Sequence, residues 1–304
     1  MSGRSAVRPA GLAPDPARLG AAGLVVVSSL SAQLGATYAF RLFSLTSPTT
    51  AAWLRNLVGA GVLVALVLLR GGSLRGIRVP VALGLGVILG SMNATFYEGL
   101  LRMPLGDGVA VEFTGPIAVA ALLGGSRRHL VWVALAAAGV LCIARPGPQH
   151  LSYAGMGFML LAATFWGLYI LVGRRVAVGG RRSDSLAVAM AFSAVFLTAP
   201  ALLRSAPSLT DPRVLGLGLL VGIVSSAIPY SIELMAMQRV PPAIFGVLLS
   251  LQPLSAGLVG LVILGQKISA LELVGFLLVV CASLGVTLGS PAAEPAPEGE
   301  LLSA

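Results

Sequence analysis

Ten stretches of apolar residues follow one another along the chain, separated by short turns rich in arginine, proline and glycine. They fall near 20–42, 49–69, 79–101, 105–124, 130–145, 152–172, 185–203, 214–237, 242–264 and 270–289. Most approach the roughly 20 apolar residues that carry a helix through a bilayer. They are apolar around the whole helix rather than along one stripe, as expected where lipid or other helices surround them. The pattern predicts an all-α integral membrane protein of ten transmembrane helices. The first run is too long for the apolar core of a signal peptide, so it reads as a span that stays. Residues 1–18 and 290–304 carry no such pattern. The first is rich in Pro, Ala, Gly and Arg, the second is Pro-rich and acidic, and both are expected to be disordered tails.

A repeat organises the ten runs. Arg102-Met103-Pro104 opens the fourth, with Pro116 twelve residues after Pro104; Arg239-Val240-Pro241 opens the ninth, with Pro253 twelve residues after Pro241. Both elements fall at the same point of a five-span block, which divides the chain into units at 19–147 and 148–289. An odd number of spans per unit inverts one relative to the other and puts a binding site near the midplane between them.

Composition agrees with this picture. Of 304 residues, 57% are hydrophobic and 10% charged, against about 25% charged in soluble domains. The net charge of +9 does not point to nucleic acid, because the basic residues sit in short clusters between apolar runs. With the N-terminus inside, Arg4, Arg8, Arg18, Arg70, Arg75, Arg78, Arg127, Arg128, Arg174, Arg175, Arg181, Arg182 and Arg239 face the cytoplasm. Arg41, Arg102, Arg145, Arg204, Arg213 and Lys267 face the other side. The excess predicts a multi-pass protein of the cytoplasmic membrane with both termini in the cytoplasm. Cys142 and Cys281 lie inside apolar runs and read as buried thiols.

Ionisable residues inside the runs are the candidates for chemistry, since a charge in the bilayer is costly unless it is paired, protonated or in contact with water. Arg55 lies seven residues past Pro48, and Glu112 eight past Pro104, which places them at similar depth on neighbouring spans. They read either as a substrate or proton site or as a structural ion pair. Ser226, Tyr230 and Glu233 share one face of the eighth span, a polar pathway unless Glu233 snorkels to the interface. Glu98 lies near the end of the third span with Tyr97 and Asn93 beside it, and reads equally as functional or as reaching interfacial water. Gln33 pairs with Thr37 in the first span, and Trp166 with Tyr169 in the sixth. Pro116 and Pro253 are expected to kink their helices and free carbonyls toward a cavity.

Four segments carry a family resemblance: WLRNLVGAG in the second run, GDGVAVEFTGPIAVAAL in the fourth, ATFWGLYIL in the sixth, and IPYSIELMAMQRVPPAIFGVLLSLQPL across the eighth and ninth. In these motifs and their order, residues 20–289 resemble the drug/metabolite transporter superfamily, and within it the EamA-type exporters. The resemblance implies a proton-motive-force-linked exporter of small metabolites. Amino acids are the leading substrate class and drug or secondary-metabolite efflux the alternative; a non-transporting membrane protein is a further reading. Two positions depart from the family pattern: Gln252-Pro253 stands where relatives carry Glu-Pro, and Gly265-Gln266 where they carry Gly-Glu.

Enzyme signatures are absent. His129 and His150, the two histidines, sit at span ends without an H-E-x-x-H pattern, and no Walker A motif occurs. Gly106-Asp107 resembles half of an intramembrane aspartyl protease site, but no second aspartate lies in a span. No cofactor or metal is expected. The partners expected are a small-molecule substrate, protons and the lipid bilayer.

Overall fold

A computed structural model describes residues 16–71, 79–123, 127–143, 152–176, 182–237, 249 and 251–289. Among these, the regular structure is helical throughout. In chain order the helices are α1 (Pro16–Phe43), α2 (Pro48–Leu69), α3 (Val79–Leu100), α4 (Leu105–Glu112), α5 (Thr114–Leu123), α6 (Arg127–Ile143), α7 (Tyr153–Val176), α8 (Arg182–Ser205), α9 (Pro212–Gly222), α10 (Ile228–Met237), α11 (Gln252–Leu264) and α12 (Ala270–Gly289). Among the described residues, six continuous helical stretches are long and apolar enough to cross a membrane: Gly23–Phe43, Pro48–Leu69, Val79–Leu100, Tyr153–Val172, Asp184–Thr210 and Pro212–Ile232. The tails at 1–15 and 290–304 and the Arg239-Val240-Pro241 element lie outside the described residues, as does the side chain of Glu233.

Local chemistry starts these helices where the sequence changes from polar to apolar. Ser47 caps α2 by accepting from the Thr50 amide at 3.2 Å, with Pro48 at the first helical position, where a missing amide costs nothing. Asp211 does the same for α9, accepting from the Arg213 amide at 2.8 Å ahead of Pro212. At α12, Ser269 and Glu272 form a reciprocal pair: the Ser269 amide donates to the Glu272 carboxylate, and the Glu272 amide to Ser269 Oγ.

Two spans are interrupted, each near a proline. α4 and α5 are separated by Phe113 alone. Pro116 has no amide hydrogen to give the carbonyl four residues back, that of Glu112, and the helix breaks there. Between α9 and α10 the chain winds a π turn over Ile223–Ala227, with Pro229 just beyond it. Pro253, the other proline expected to kink its span, lies in the first turn of α11; residues 238–248 and 250, which precede it in that span, are outside the described residues.

Packing gathers these elements into one bundle. α2 lies along α8, α3 along both α7 and α8, α6 along α12, and α4 along α11, while α1 crosses α9, α10 and α11. Small residues recur at the contacts: Ala36, Ala39, Ala51, Ala52 and Ala162 are buried beside Leu54, Leu100, Leu105 and Met159. Close approach of this kind supplies the van der Waals attraction that holds helices together in lipid. The outward faces remain apolar, with Leu69, Leu122, Leu203 and Val262 each more than three-quarters exposed. In water such a surface would aggregate; in a bilayer it is solvated.

Hydrogen bonds concentrate at one end, that of the α1–α2, α3–α4 and α8–α9 connections, termed here the Ser47 end. Thr46 and Ser208 share a 2.7 Å bond, the Ser47 amide donates to Ser205 Oγ at 3.2 Å, and Thr50 donates to the Ala201 carbonyl at 3.1 Å. One turn deeper, Trp53 Nε1 donates to Thr198 at 3.0 Å. These bonds fasten the start of α2 to the end of α8.

Candidate functional site

Arg55 extends from the middle of α2 and is half-buried. Its Nε donates to Ser226 Oγ at 2.9 Å and its Nη2 to the Ser225 carbonyl at 3.3 Å, both in the π turn. The guanidinium carbon stands 5.5 Å from the centre of the Tyr97 ring on α3, within cation–π range.

The π turn explains why Arg55 finds acceptors there. Pro229 withholds an amide from the carbonyl four residues back, Ser225, and from the one five back, Val224. Side chains supply the missing donors: Arg55 to Ser225, and Ser31 Oγ of α1 to Val224 at 2.7 Å. Ser28 Oγ adds a longer bond, 3.4 Å, to the Pro229 carbonyl. The approach of α1 depends on Gly35, because a Cβ at that position would collide with Ser225 Oγ and lie 2.7 Å from its amide nitrogen. A glycine, four serines, a proline and an arginine from three helices thus build one polar junction in an apolar bundle. π turns recur at functional sites because they disturb the helix in this way.

Glu112 ends α4, immediately before the Phe113 break, and is half-buried. Its charge and that of Arg55 interact. Among the described residues, however, the two form no ion pair and Glu112 accepts no hydrogen bond. The direct pair open from sequence is therefore not formed. Arg55 commits two of its donors to the π turn, and Glu112 stays beyond ion-pair distance of it while still feeling its charge. Beside Glu112, Phe113 packs edge-on against Trp166 of α7, ring centres 5.2 Å apart. Trp166 and Tyr169 belong to the apolar packing around Met190 and Leu89, with Tyr230 at its edge. Tyr230 is also within electrostatic range of Arg55. These contacts join the sixth and eighth spans to the charged pair.

Around Arg55, two buried polar atoms lack a partner among the described residues. Asn93 Nδ2 donates to Asn56 Oδ1 at 2.8 Å, leaving Asn56 Nδ2 unpaired; the Tyr97 hydroxyl is unpaired as well. Asn93 and Tyr97 were candidates from sequence, and Asn56 was not. Its position next to Arg55 in an apolar run was the available signal. Gln33 is buried in α1, one turn before Thr37, whose hydroxyl bonds back to the Leu34 carbonyl at 2.6 Å.

Glu98 belongs to a different construction. It is buried, and its carboxylate meets Arg102 at 2.7 Å, Arg204 of α8 at 3.0 Å and the Thr49 hydroxyl at 3.2 Å. Of the two readings open from sequence, contact with interfacial water does not describe it. This carboxylate is the hub that joins α2, α3 and α8 at the Ser47 end. Arg204 and Thr49 were not flagged, since neither residue is unusual where it stands.

Apolar helices enclosing an arginine and a glutamate that do not neutralise each other define a multi-pass membrane protein with a polar interior. The model of the EamA-like transporter family matches residues 153–288. The threonine/homoserine exporter RhtA of Escherichia coli (strain K12) is 35% identical over 272 residues, covering 87% of this chain and 90% of its own length. RhtA of Salmonella typhimurium (strain SL1344) is 34% identical over the same span. A solved crystal structure superposes with a TM-score of 0.62 at 18% identity, covering 91% of this chain and all of its own; that likeness concerns the fold. The chain belongs to the EamA-like transporter family, whose members named here are exporters rather than enzymes.

Proposed function

We propose that this protein is a secondary exporter of amino acids of the threonine/homoserine kind, working in the cytoplasmic membrane with both termini inside. In this reading the chain crosses the bilayer ten times, α4–α5 and α9–α10 each counting as one interrupted span. Residues 19–147 and 148–289 form two inverted five-span units, and the Ser47 end faces outward.

The observation that carries the reading is the separation of Arg55 and Glu112. An amino acid presents a carboxylate and an ammonium a few bonds apart. A guanidinium and a carboxylate that interact without pairing match that pair of charges with their order reversed. The substrate carboxylate meets the guanidinium, where planar donors favour it, and the ammonium meets Glu112. The Tyr97 hydroxyl, unpaired among the described residues and on the ring that stands by Arg55, is available to a substrate hydroxyl. Proton coupling follows from the same geometry. Substrate ammonium and proton then compete for the one carboxylate, so that the arrival of one displaces the other. Phe113 and Pro116 give α4–α5 a hinge beside it, and Glu233 is a second carboxylate on this path.

Purified protein in liposomes tests this directly. Loaded threonine and homoserine should leave through the protein when a proton gradient is imposed. Absence of flux across a broad amino-acid panel overturns the substrate class.

A further inference from the structure

We propose that Asp107 is a proton-binding site, distinct from Glu112, that is loaded while the seam between α4 and α11 is closed and empties when that seam parts. Asp107 lies in the first turn of α4 and is 2% exposed. Its Oδ2 is buried without a hydrogen-bond partner among the described residues. The seam around it is packed to backbone contact. A Cβ on Gly106 would lie 2.6 Å from the Gly257 Cα, and one on Gly257 would lie 2.9 Å from Phe276. The Gln266 side chain closes the end of the seam by accepting from the Leu105 amide at 3.0 Å.

A bare carboxylate in such a place is costly by several kcal/mol, and no arginine or lysine among the described residues pairs with it. A metal ion would need several further oxygens and room for them; the described residues hold no cluster of three acidic, histidine or cysteine side chains, and the seam has no such space. The ligand that fits is a proton, giving a neutral carboxylic acid.

The elements packed on α4 add little charge. α5 and α11 have no ionisable residue. α3 brings Tyr97 and Glu98, the latter held by Arg102 and Arg204; α6 brings Cys142, α7 Tyr153 and Tyr169, and α12 Glu272 and Cys281, while Arg127, Arg128 and His129 of α6 and Arg174 and Arg175 of α7 sit at the opposite ends of those helices. Of these, Glu272 is the residue whose charge reaches Asp107, and it is of the same sign. When the seam parts, water accepts the proton from the carboxyl group as hydronium and solvates the carboxylate left behind. Closure requires a proton to return. Only the coupling of this cycle to export rests on the transporter reading.

Infrared spectroscopy of the full-length protein in lipid, labelled with carboxyl-¹³C aspartate, tests the site without any substrate. The expected result is an isotope-shifted carbonyl band of a protonated acid that persists at neutral pH, disappears in D107N and survives in E112Q. G106A keeps the aspartate and wedges the seam, so it should remove most of the neutral-pH band. In liposomes, D107N should retain threonine exchange within about twofold while gradient-driven efflux falls tenfold or more. A wild-type protein without an aspartate band at neutral pH overturns the proposal, as does an unchanged band in D107N. If the band behaves as expected and no amino acid moves, the proton site stands and the substrate reading fails.

Discussion

Two glutamates lie in buried or half-buried surroundings, and the protein treats them in opposite ways. Glu98 is surrounded by partners: two arginines and a threonine hydroxyl within 3.2 Å. Glu112 has none among the described residues, although Arg55 is near enough to interact with its charge. A carboxylate whose bonds are filled joins helices and has little capacity left for a ligand. A carboxylate left open in the same bundle forgoes that stabilisation and keeps the capacity for a ligand that the proposed function requires. Comparing the two separates fastener from site more clearly than either does alone.

The comparison breaks most visibly at Glu112. Glu112→Gln preserves shape and removes the charge, and gradient-driven export should fall about 100-fold, the value of one lost charge-assisted contact of ~2.7 kcal/mol. Flux in liposomes with and without a pH gradient checks this; unchanged flux with an unchanged pH profile would make Glu112 structural and move attention to Glu233. Arg55→Lys should raise the KM for substrate tens of fold with a smaller change in maximal rate, because the ammonium keeps the charge but loses the fork that engages the π turn.

Glu98→Gln should act on the fold rather than the substrate. Loss of the hub is expected to remove about 1–2 kcal/mol, seen as a lower thermal midpoint, with KM within about twofold. A large KM effect without destabilisation would erase the distinction drawn above. Ser226→Ala takes one acceptor from Arg55 and should weaken substrate binding about fivefold, roughly 1 kcal/mol. The smallest effect belongs to Arg204→Gln. That side chain is 59% exposed, so its loss should change stability by about 0.5 kcal/mol or less and only at low salt.

Much of this was legible in the sequence because lipid imposes a simple rule. Runs of apolar residues fixed the helices, and α12 begins and ends at the residues expected of it, 270 and 289. Arg55, Glu112 and Glu98 stood out because charge is rare in such runs. Their pairing did not follow from spacing. Arg55 turned to the π turn rather than to Glu112, and that depends on Pro229 emptying two carbonyls at a point where α1, α2 and α9–α10 meet. Ser31 and Ser225 carried no signal of their own, since small polar residues occur throughout these spans. The partner of Glu98 lies 106 residues away on α8, a distance no local pattern reports. The neutral Gln266 in place of a family acid proves to have a job that an amide oxygen does as well as a carboxylate, accepting from the first amide of α4.

The π turn has a further consequence, which concerns insertion and deletion rather than substitution. A π turn is what one surplus residue does to an α-helix. Removing a single residue from 223–227 would restore the α register and leave everything beyond in phase, whereas removing one from the regular helix before it would rotate all that follows by about 100° about the helix axis. Tyr230 and the face it shares with Glu233 would swing away from Arg55 without any change in their identity. In this one span, chain length acts as a rotary setting that selects which side chains look into the bundle.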